Sequence, residues 1–206
     1  MNMVIFSILS LVNLNTYASA FNPGEYLCAG SIIFKPDGTS TYAGDCSAAK
    51  VGKHYACVGS TIYKPDSSAT YSGDCTNAKV GDDFACVGST LYMPNSTATY
   101  SGDCAAAKIG AGFACVGSTL YKSDGSATYS GDCSNAKLSR NFACIGSTLY
   151  MPNNKSTYSG DCTNAKLGDD YACVGSTLYR PDGSATYVGN CNSVQPPNAS
   201  NKMMRH

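Results

Sequence analysis

The spacing of the cysteines constrains this chain more than any other feature of its sequence. Twelve cysteines lie at positions 28, 46, 57, 75, 86, 104, 115, 133, 144, 162, 173 and 191, with gaps that alternate between 18 and 11 residues. The period is therefore 29 residues, and six copies span residues 26–54, 55–83, 84–112, 113–141, 142–170 and 171–199. Self-similarity at such a period predicts one repeat array rather than several separate domains.

The N-terminus has the pattern of a secretory signal. Residues 3–12 are mostly apolar, but they are fewer than the roughly 20 residues that span a bilayer. The small residues Ala18, Ser19 and Ala20 then form a typical cleavage site. We predict a signal peptide over residues 1–20, a lead over 21–25 and a tail over 200–206, with no membrane span; the alternative for the first segment is a buried N-terminal strand. The predicted location is secreted or cell-surface, in an extracellular or periplasmic oxidising compartment where cysteines form disulfides.

Each copy is predicted to form a β-hairpin, with strands over residues 55–63 and 69–75 in copy two. The turns of copies one and six read Pro-Asp-Gly, at positions 36–38 and 181–183. Proline presets the first turn position and glycine accepts the left-handed one, which is typical of a three-residue loop with a bulge. Such a loop places Lys64 opposite Ser68, and the same register places Cys57 opposite Cys75.

Two pairing schemes fit the cysteine period. In the first, each hairpin closes on itself, because facing Cα atoms lie about 4.5–5.5 Å apart, which a disulfide accepts. In the second, the 11-residue gaps close and leave Cys28 and Cys191 free at opposite ends. We favour the first scheme, whose pairs are Cys28–Cys46, Cys57–Cys75, Cys86–Cys104, Cys115–Cys133, Cys144–Cys162 and Cys173–Cys191.

The predicted register divides the side chains between two faces. The face with Tyr55, Cys57 and Tyr71 is expected to be packed, and the face of Ser, Thr and Asp residues to be wetter, with Val58 and Ile62 as its apolar part. The predicted fold class is all-β, with six disulfide-closed hairpins in an elongated antiparallel meander. Joined side by side, twelve strands would span nearly 60 Å at about 4.8 Å per strand. The alternative is a β-solenoid with one coil per repeat.

The hairpin resembles the MORN-type repeat. The shared pattern is glycine, an aromatic residue, an Asx-Gly turn and Tyr-x-Gly, here Gly117, Tyr121, Asp124-Gly125, Tyr129 and Gly131. It covers about 17 residues of each 29, and the turn and the linker are longer here. The resemblance implies an elongated antiparallel β-ribbon that serves as a scaffold or attachment module.

No set of candidate residues occurs once in the chain, as an active site would, so we predict no enzyme, no cofactor and no metal. The only histidines, His54 and His206, are far apart and are expected on the surface. The 14 basic and 14 acidic residues balance, which argues against a nucleic-acid partner. An acidic residue precedes the second cysteine in five copies, at Asp45, Asp74, Asp103, Asp132 and Asp161, and Asn190 takes the sixth place. Capping of local backbone amides is the expected role, and calcium binding is the alternative.

The hairpin tips vary more than the strands. Their first residues are Lys64, Met93, Lys122, Met151 and Arg180 in copies two to six, and we predict these as possible contact residues; the alternative is relaxed constraint at exposed loops. Glycosylation sequons lie at Asn95, Asn154 and Asn198.

The leading functional prediction is a secreted, disulfide-stabilised structural or adhesive repeat protein that acts as a rigid multivalent scaffold or a surface or fibre component. Its expected partners are further copies of itself or an extracellular or cell-surface ligand, with glycans among the candidates. The second hypothesis is a multivalent carbohydrate-binding protein, which requires at least one exposed tyrosine column. The third is an ice-binding protein, based on the regular hydroxyl face of Ser60, Thr70 and Ser72.

Overall fold

Short antiparallel strands and single turns of 3-10 helix build the described part of the chain, which comprises residues 22–152 and 154–194. In this computed structural model the strands form six sheets, each built on the hairpins of one repeat, and the last five sheets begin with a short strand from the linker of the preceding repeat. The predicted signal peptide, Asn198 and the C-terminal tail lie outside the described residues. Within those residues, no helix is long and apolar enough to cross a membrane.

The first sheet has three strands and the other five have four. The strands are β1 (Leu27–Ala29), β2 (Ile32–Phe34) and β3 (Ser40–Tyr42); β4 (Lys50–Val51), β5 (Ala56–Val58), β6 (Thr61–Tyr63) and β7 (Ala69–Tyr71); β8 (Lys79–Val80), β9 (Ala85–Val87), β10 (Thr90–Tyr92) and β11 (Ala98–Tyr100); β12 (Lys108–Ile109), β13 (Phe113–Val116), β14 (Thr119–Lys122) and β15 (Ala127–Tyr129); β16 (Lys137–Leu138), β17 (Ala143–Ile145), β18 (Thr148–Tyr150) and β19 (Ser156–Tyr158); β20 (Lys166–Leu167), β21 (Ala172–Val174), β22 (Thr177–Tyr179) and β23 (Ala185–Tyr187). A 3-10 turn follows the last strand of each sheet, at Cys46–Ala48, Cys75–Asn77, Cys104–Ala106, Cys133–Asn135, Cys162–Asn164 and Cys191–Ser193.

The predicted register at the hairpin tip is confirmed. Tyr63 pairs with Ala69, and the Lys64 N–H donates to the Ser68 carbonyl at 2.9 Å. The left-handed turn position is glycine in copies one, four and six. In copy two Ser67 takes that position, with φ of 62°.

The prediction of one continuous strand over residues 55–63 is wrong, because the chain reverses at Gly59 and Ser60. Strand β5 turns back onto β6, so that Cys57 pairs with Ile62. Gly59 has φ of 60°, as the first central residue of a tight hairpin turn requires. Each sheet therefore has a second hairpin that the twofold pattern of the sequence did not reveal.

The six sheets stack face to face. One cluster joins Tyr55, Cys57 and Ile62 of the second sheet to Ala85 and Val87 of the third. Equivalent clusters lie at the other four junctions. Both faces of the inner sheets are thus covered, and Val58 and Ile62, expected on the wetter face, are 1% and 0% exposed.

The predicted all-β class and the disulfide-closed antiparallel repeats are confirmed. Strand order within each sheet is that of a meander. The meander does not run on as one twelve-stranded sheet, because successive sheets join through packed side chains rather than paired strands. The reason lies in the added turn at Gly59, which makes each sheet wide enough to bury a face on its neighbour.

The linkers also stack along the array. A Cβ atom at Gly52 would lie 2.1 Å from the carbonyl oxygen of Gly81, so these two linkers approach as closely as glycine allows. The His54 N–H donates to the Asp82 carbonyl at 3.2 Å, and the Lys137 Nζ donates to the Ala165 carbonyl at 2.8 Å. Backbone and lysine contacts therefore hold consecutive repeats at a fixed spacing.

Candidate contact surface

A column of exposed tyrosines is the most regular feature of the surface. The third aromatic residue of each repeat is 76–79% exposed in all six copies, at Tyr42, Tyr71, Tyr100, Tyr129, Tyr158 and Tyr187. Among the large hydrophobic side chains of the described residues no other approaches this exposure; Val51, at 41%, comes next. The prediction that Tyr71 lies on a packed face is therefore wrong.

The position of this column follows from the strand order. Tyr71 ends strand β7, and β7 is the outermost strand of its sheet. Its ladder partner Thr61 lies on β6, so the ring projects from the edge strand, beyond the width that the neighbouring sheet covers. Because each sheet repeats this arrangement, the rings lie along one side of the stack. Sheets packed face to face are about 10 Å apart, which sets the expected spacing of the rings.

The sequence contained a signal for this column that the register argument did not use. The first aromatic position is tyrosine in three copies and phenylalanine in the other three, as Tyr55 and Phe84 show, whereas the third is tyrosine in every copy. A buried ring tolerates loss of the hydroxyl more readily than an exposed ring does, because phenylalanine at the surface leaves only apolar area in water. Uniform tyrosine in one column is thus the mark of the exposed one.

Polar side chains lie three residues after each exposed tyrosine. Asp74 begins the 3-10 turn, and its Oδ1 accepts hydrogen bonds from the Thr76 amide at 2.9 Å and the Thr76 hydroxyl at 2.7 Å. These bonds hold the pKa of Asp74 below its ordinary value, the hydroxyl contributing most. Asn190 caps the last turn in the same way, through the Asn192 amide at 2.8 Å. The predicted capping role is confirmed.

Metal-ligating side chains do not converge in the described residues. No group of three or more His, Cys, Asp or Glu side chains there is placed to hold a metal ion. The Nδ1 of His54 lies 3.1 Å from Oδ1 of Asp83, and both side chains are partly exposed. This contact joins two neighbouring linkers. The 3.1 Å ion pair of Arg140 with Asp82 joins linkers that are two repeats apart.

All twelve cysteines form disulfides in the structure. The pairs are those of the first scheme, Cys28–Cys46, Cys57–Cys75, Cys86–Cys104, Cys115–Cys133, Cys144–Cys162 and Cys173–Cys191, with Cα separations of 5.3–5.6 Å. The register predicted for these cysteines is wrong. Cys57 and Cys75 are not opposite each other on paired strands; the Cys75 N–H instead donates to the Gly59 carbonyl at 2.9 Å. That bond brings the 3-10 turn back beside β5.

The first aromatic column is buried in the inner sheets. Tyr55, Phe84 and Phe142 are 0% exposed. The hydroxyls of Tyr26 and Tyr55 donate to the backbone carbonyls of Lys64 and Met93, at the tips of the next repeats. Burial raises the pKa of Tyr55 well above its ordinary value, and the carboxylate of Asp66 adds to the shift.

The hairpin tips differ in how far they face solvent. Met151 is only 5% exposed and packs beside Phe142, and Met93 packs against the core cluster of its sheet, so Met151 in particular is not an open contact residue. Arg180 is exposed, while Lys64 and Lys122 are partly buried. The contact role of these three remains a prediction.

Two of the predicted sequons lie at described hairpin tips. The Asn95 Oδ1 accepts bonds from Thr97, including its hydroxyl at 2.5 Å. The Asn154 Oδ1 accepts a bond from Lys122 Nζ at 2.7 Å. Use of either site for a glycan remains a prediction.

No family model, no curated protein and no solved structure matches this chain. Any functional conclusion therefore rests on the geometry of the array.

Proposed function

We propose that this protein is a secreted, rigid scaffold that presents the column of six tyrosines as a multivalent contact surface. The observation that carries the proposal is the equal exposure of those rings, 76–79% in every repeat. Tyrosine offers a large apolar face and a hydrogen-bonding hydroxyl with few rotatable bonds, so it contributes contact area at low entropic cost.

The rest of the fold supports a rigid role. Each repeat is closed by a disulfide, and each of the four inner repeats packs both of its faces on its neighbours. The rings are therefore held at regular intervals rather than on mobile loops. A weak contact by one tyrosine, offered six times at fixed spacing, gains affinity through high effective concentration. The resemblance to MORN-type repeats favours the same scaffold role.

Polysaccharide is the ligand class that we favour as a second, narrower proposal. The carbohydrate hypothesis requires at least one exposed column of tyrosines, and this column is exposed. Three residues after each of the first five rings a carboxylate caps the 3-10 turn, as Asp74 does, and Asn190 takes that place after the sixth ring. Three of the turns also end in an asparagine, at Asn77, Asn135 and Asn164. Rings that stack on sugars, beside side chains that bond hydroxyl groups, suit a long neutral glycan better than a charged polymer.

The test compares three forms of the full oxidised chain. One form carries Ala at positions 71, 100, 129 and 158; the matched control carries Phe at the same four. Binding is measured by co-sedimentation with insoluble cellulose, chitin and fibrous protein matrix. We expect the Ala form to lose binding at least tenfold, because four of the six rings are removed, and the Phe form to retain most of the binding.

The outcomes separate the two proposals. Binding to protein matrix alone, lost in the Ala form, would support the multivalent scaffold and exclude the glycan. Wild-type binding by the Ala form on every surface would overturn both proposals. Both variants are expected to fold, because these side chains make few contacts.

A further inference from the structure

Every junction in the array joins the same two faces. The lower face of a sheet, with Tyr55, Cys57 and Ile62 in repeat two, packs on the upper face of the next, with Ala85 and Val87 in repeat three. Five junctions of this kind hold the six sheets together. An array built in this way has one upper face left over at its start and one lower face left over at its end.

The leftover upper face belongs to the first sheet and is apolar. Leu27 stands where the other repeats have Ala, and Ile32 stands where they have Thr. Ile32 is 37% exposed. Leu27 and Ala29 are partly exposed, whereas their equivalents in repeat two, Ala56 and Val58, are 0% and 1% exposed. Terminal repeats that act as caps carry a polar outer face. The outer face of the first sheet is apolar, so this sheet does not have the character of a cap.

The leftover lower face belongs to the sixth sheet. Leu178 and Tyr171 are partly exposed there, whereas their equivalents Leu91 and Phe84 are 0% exposed. The last repeat has the same apolar residues on its lower face as the other repeats. In the described residues no further sheet follows to cover them. The two end faces are therefore the two halves of the interface that the chain uses internally.

We infer that copies of this protein stack head to tail, with the lower face of one copy's sixth sheet on the upper face of the next copy's first sheet. The occupant is a second copy because the contact would continue the five internal junctions. Such an interface joins two different surfaces, so it does not close on itself and leads to linear assemblies. The tyrosine column would then run on from copy to copy.

The experiment uses two charge variants of the full oxidised chain, Ile32→Glu on the upper face and Leu178→Glu on the lower face. Mass is followed by light scattering after size exclusion over a range of concentrations. The wild type is expected to form dimers and longer species as concentration rises. Each variant alone is expected to be monomeric, because it lacks one half of the interface.

The decisive sample is an equimolar mixture of the two variants. The intact lower face of Ile32→Glu and the intact upper face of Leu178→Glu can still pair, so the mixture is expected to stop at a dimer. Ala48→Glu is the matched control, since it adds the same charge to the first repeat at an exposed position outside the stacked faces. It should assemble as the wild type does.

Three results would overturn the inference. One is a wild type that stays monomeric at high concentration, as it would if its own terminal segments covered the end faces. Another is a Leu178→Glu variant that still dimerises, which would indicate a symmetric contact between upper faces. The last is a mixture that contains only monomers. If Leu178→Glu does not fold, Thr186→Glu, on the same face and exposed, replaces it. None of these results bears on ligand binding by the tyrosine column, which the co-sedimentation test measures separately.

Discussion

The hydroxyl of Tyr55 donates a hydrogen bond to the backbone carbonyl oxygen of Met93, across the junction of the second and third sheets. The same oxygen also accepts a bond from the Ser96 amide at 2.9 Å, so the tyrosine ties the next hairpin tip to the sheet beneath it. Tyr26 makes the equivalent bond to Lys64. These two hydrogen bonds thus link the packing between neighbouring sheets to the position of the next hairpin turn.

Replacing Tyr55 with Phe is expected to lower the free energy of unfolding by about 1 kcal/mol, the usual net worth of one such hydrogen bond. Urea denaturation of the oxidised protein measures the change. Tyr100→Phe is the control, since its ring is 79% exposed, and it should change stability by less than about 0.5 kcal/mol. Equal effects of the two substitutions would show that the Tyr55 bond does not stabilise the junction.

Stability is expected to fall at alkaline pH because of the buried tyrosines. Burial raises the folded-state pKa of Tyr26 and Tyr55 above the unfolded-state value near 10. The folded protein therefore keeps these protons to a higher pH, and its stability is intact below about pH 10 and is lost as pH rises above it. Denaturation curves at pH 8 and pH 11 test this. The double variant Tyr26→Phe/Tyr55→Phe should lose less stability over that interval; an equal loss would assign the effect to other groups.

The cap at Asp74 is expected to stabilise the protein above the acid range. Hydrogen bonds from Thr76 lower the folded-state pKa of this carboxyl, so its contribution is present above about pH 4 and is lost as pH falls through the folded-state pKa. Asp74→Ala should lower the melting temperature at pH 7. Asp74→Asn should lower it much less, because an asparagine side chain also accepts the capping hydrogen bond, as Asn190 does in the sixth repeat. The Asn variant should also show a smaller drop between pH 7 and pH 3. A melting temperature that is the same in all three forms would contradict this role.

The disulfide of the first repeat is expected to be reduced before the others. Cys28 and Cys46 are partly exposed, whereas Cys57, Cys86 and their equivalents in later repeats are at most 4% exposed. Thiol–disulfide exchange requires access of the attacking thiolate, so the first bond should react first. Brief treatment with dithiothreitol, alkylation and peptide mass mapping gives the order. Random labelling across the repeats, or first labelling of Cys57, would count against it.

Much of the architecture was predictable from residues close together in the chain. The tip register of Lys64 and Ser68 follows from the loop length and the left-handed turn position, both of which are local properties. The second hairpin was missed because Tyr55, Cys57 and Tyr63 fit a twofold alternation across Gly59 and Ser60. A Gly-Ser pair between β-forming segments is itself a hairpin signal. The favoured disulfide scheme is confirmed, although Cys57 pairs with Ile62 across the ladder and Cys75 lies in a 3-10 turn rather than on a facing strand.

The sequence by itself determined the number of repeats and the antiparallel hairpin tip, because turn chemistry and a 29-residue period act within a single repeat. It left two disulfide schemes, and the structure has the first of them. Only the tertiary structure decided which aromatic column meets solvent. Alternation along a strand tells which side chains share a face, but not how far the next sheet covers that face. The stacked sheets cover Tyr55 completely and stop short of the edge strand that carries Tyr71. The surface on which the proposed function rests is thus a product of packing between repeats.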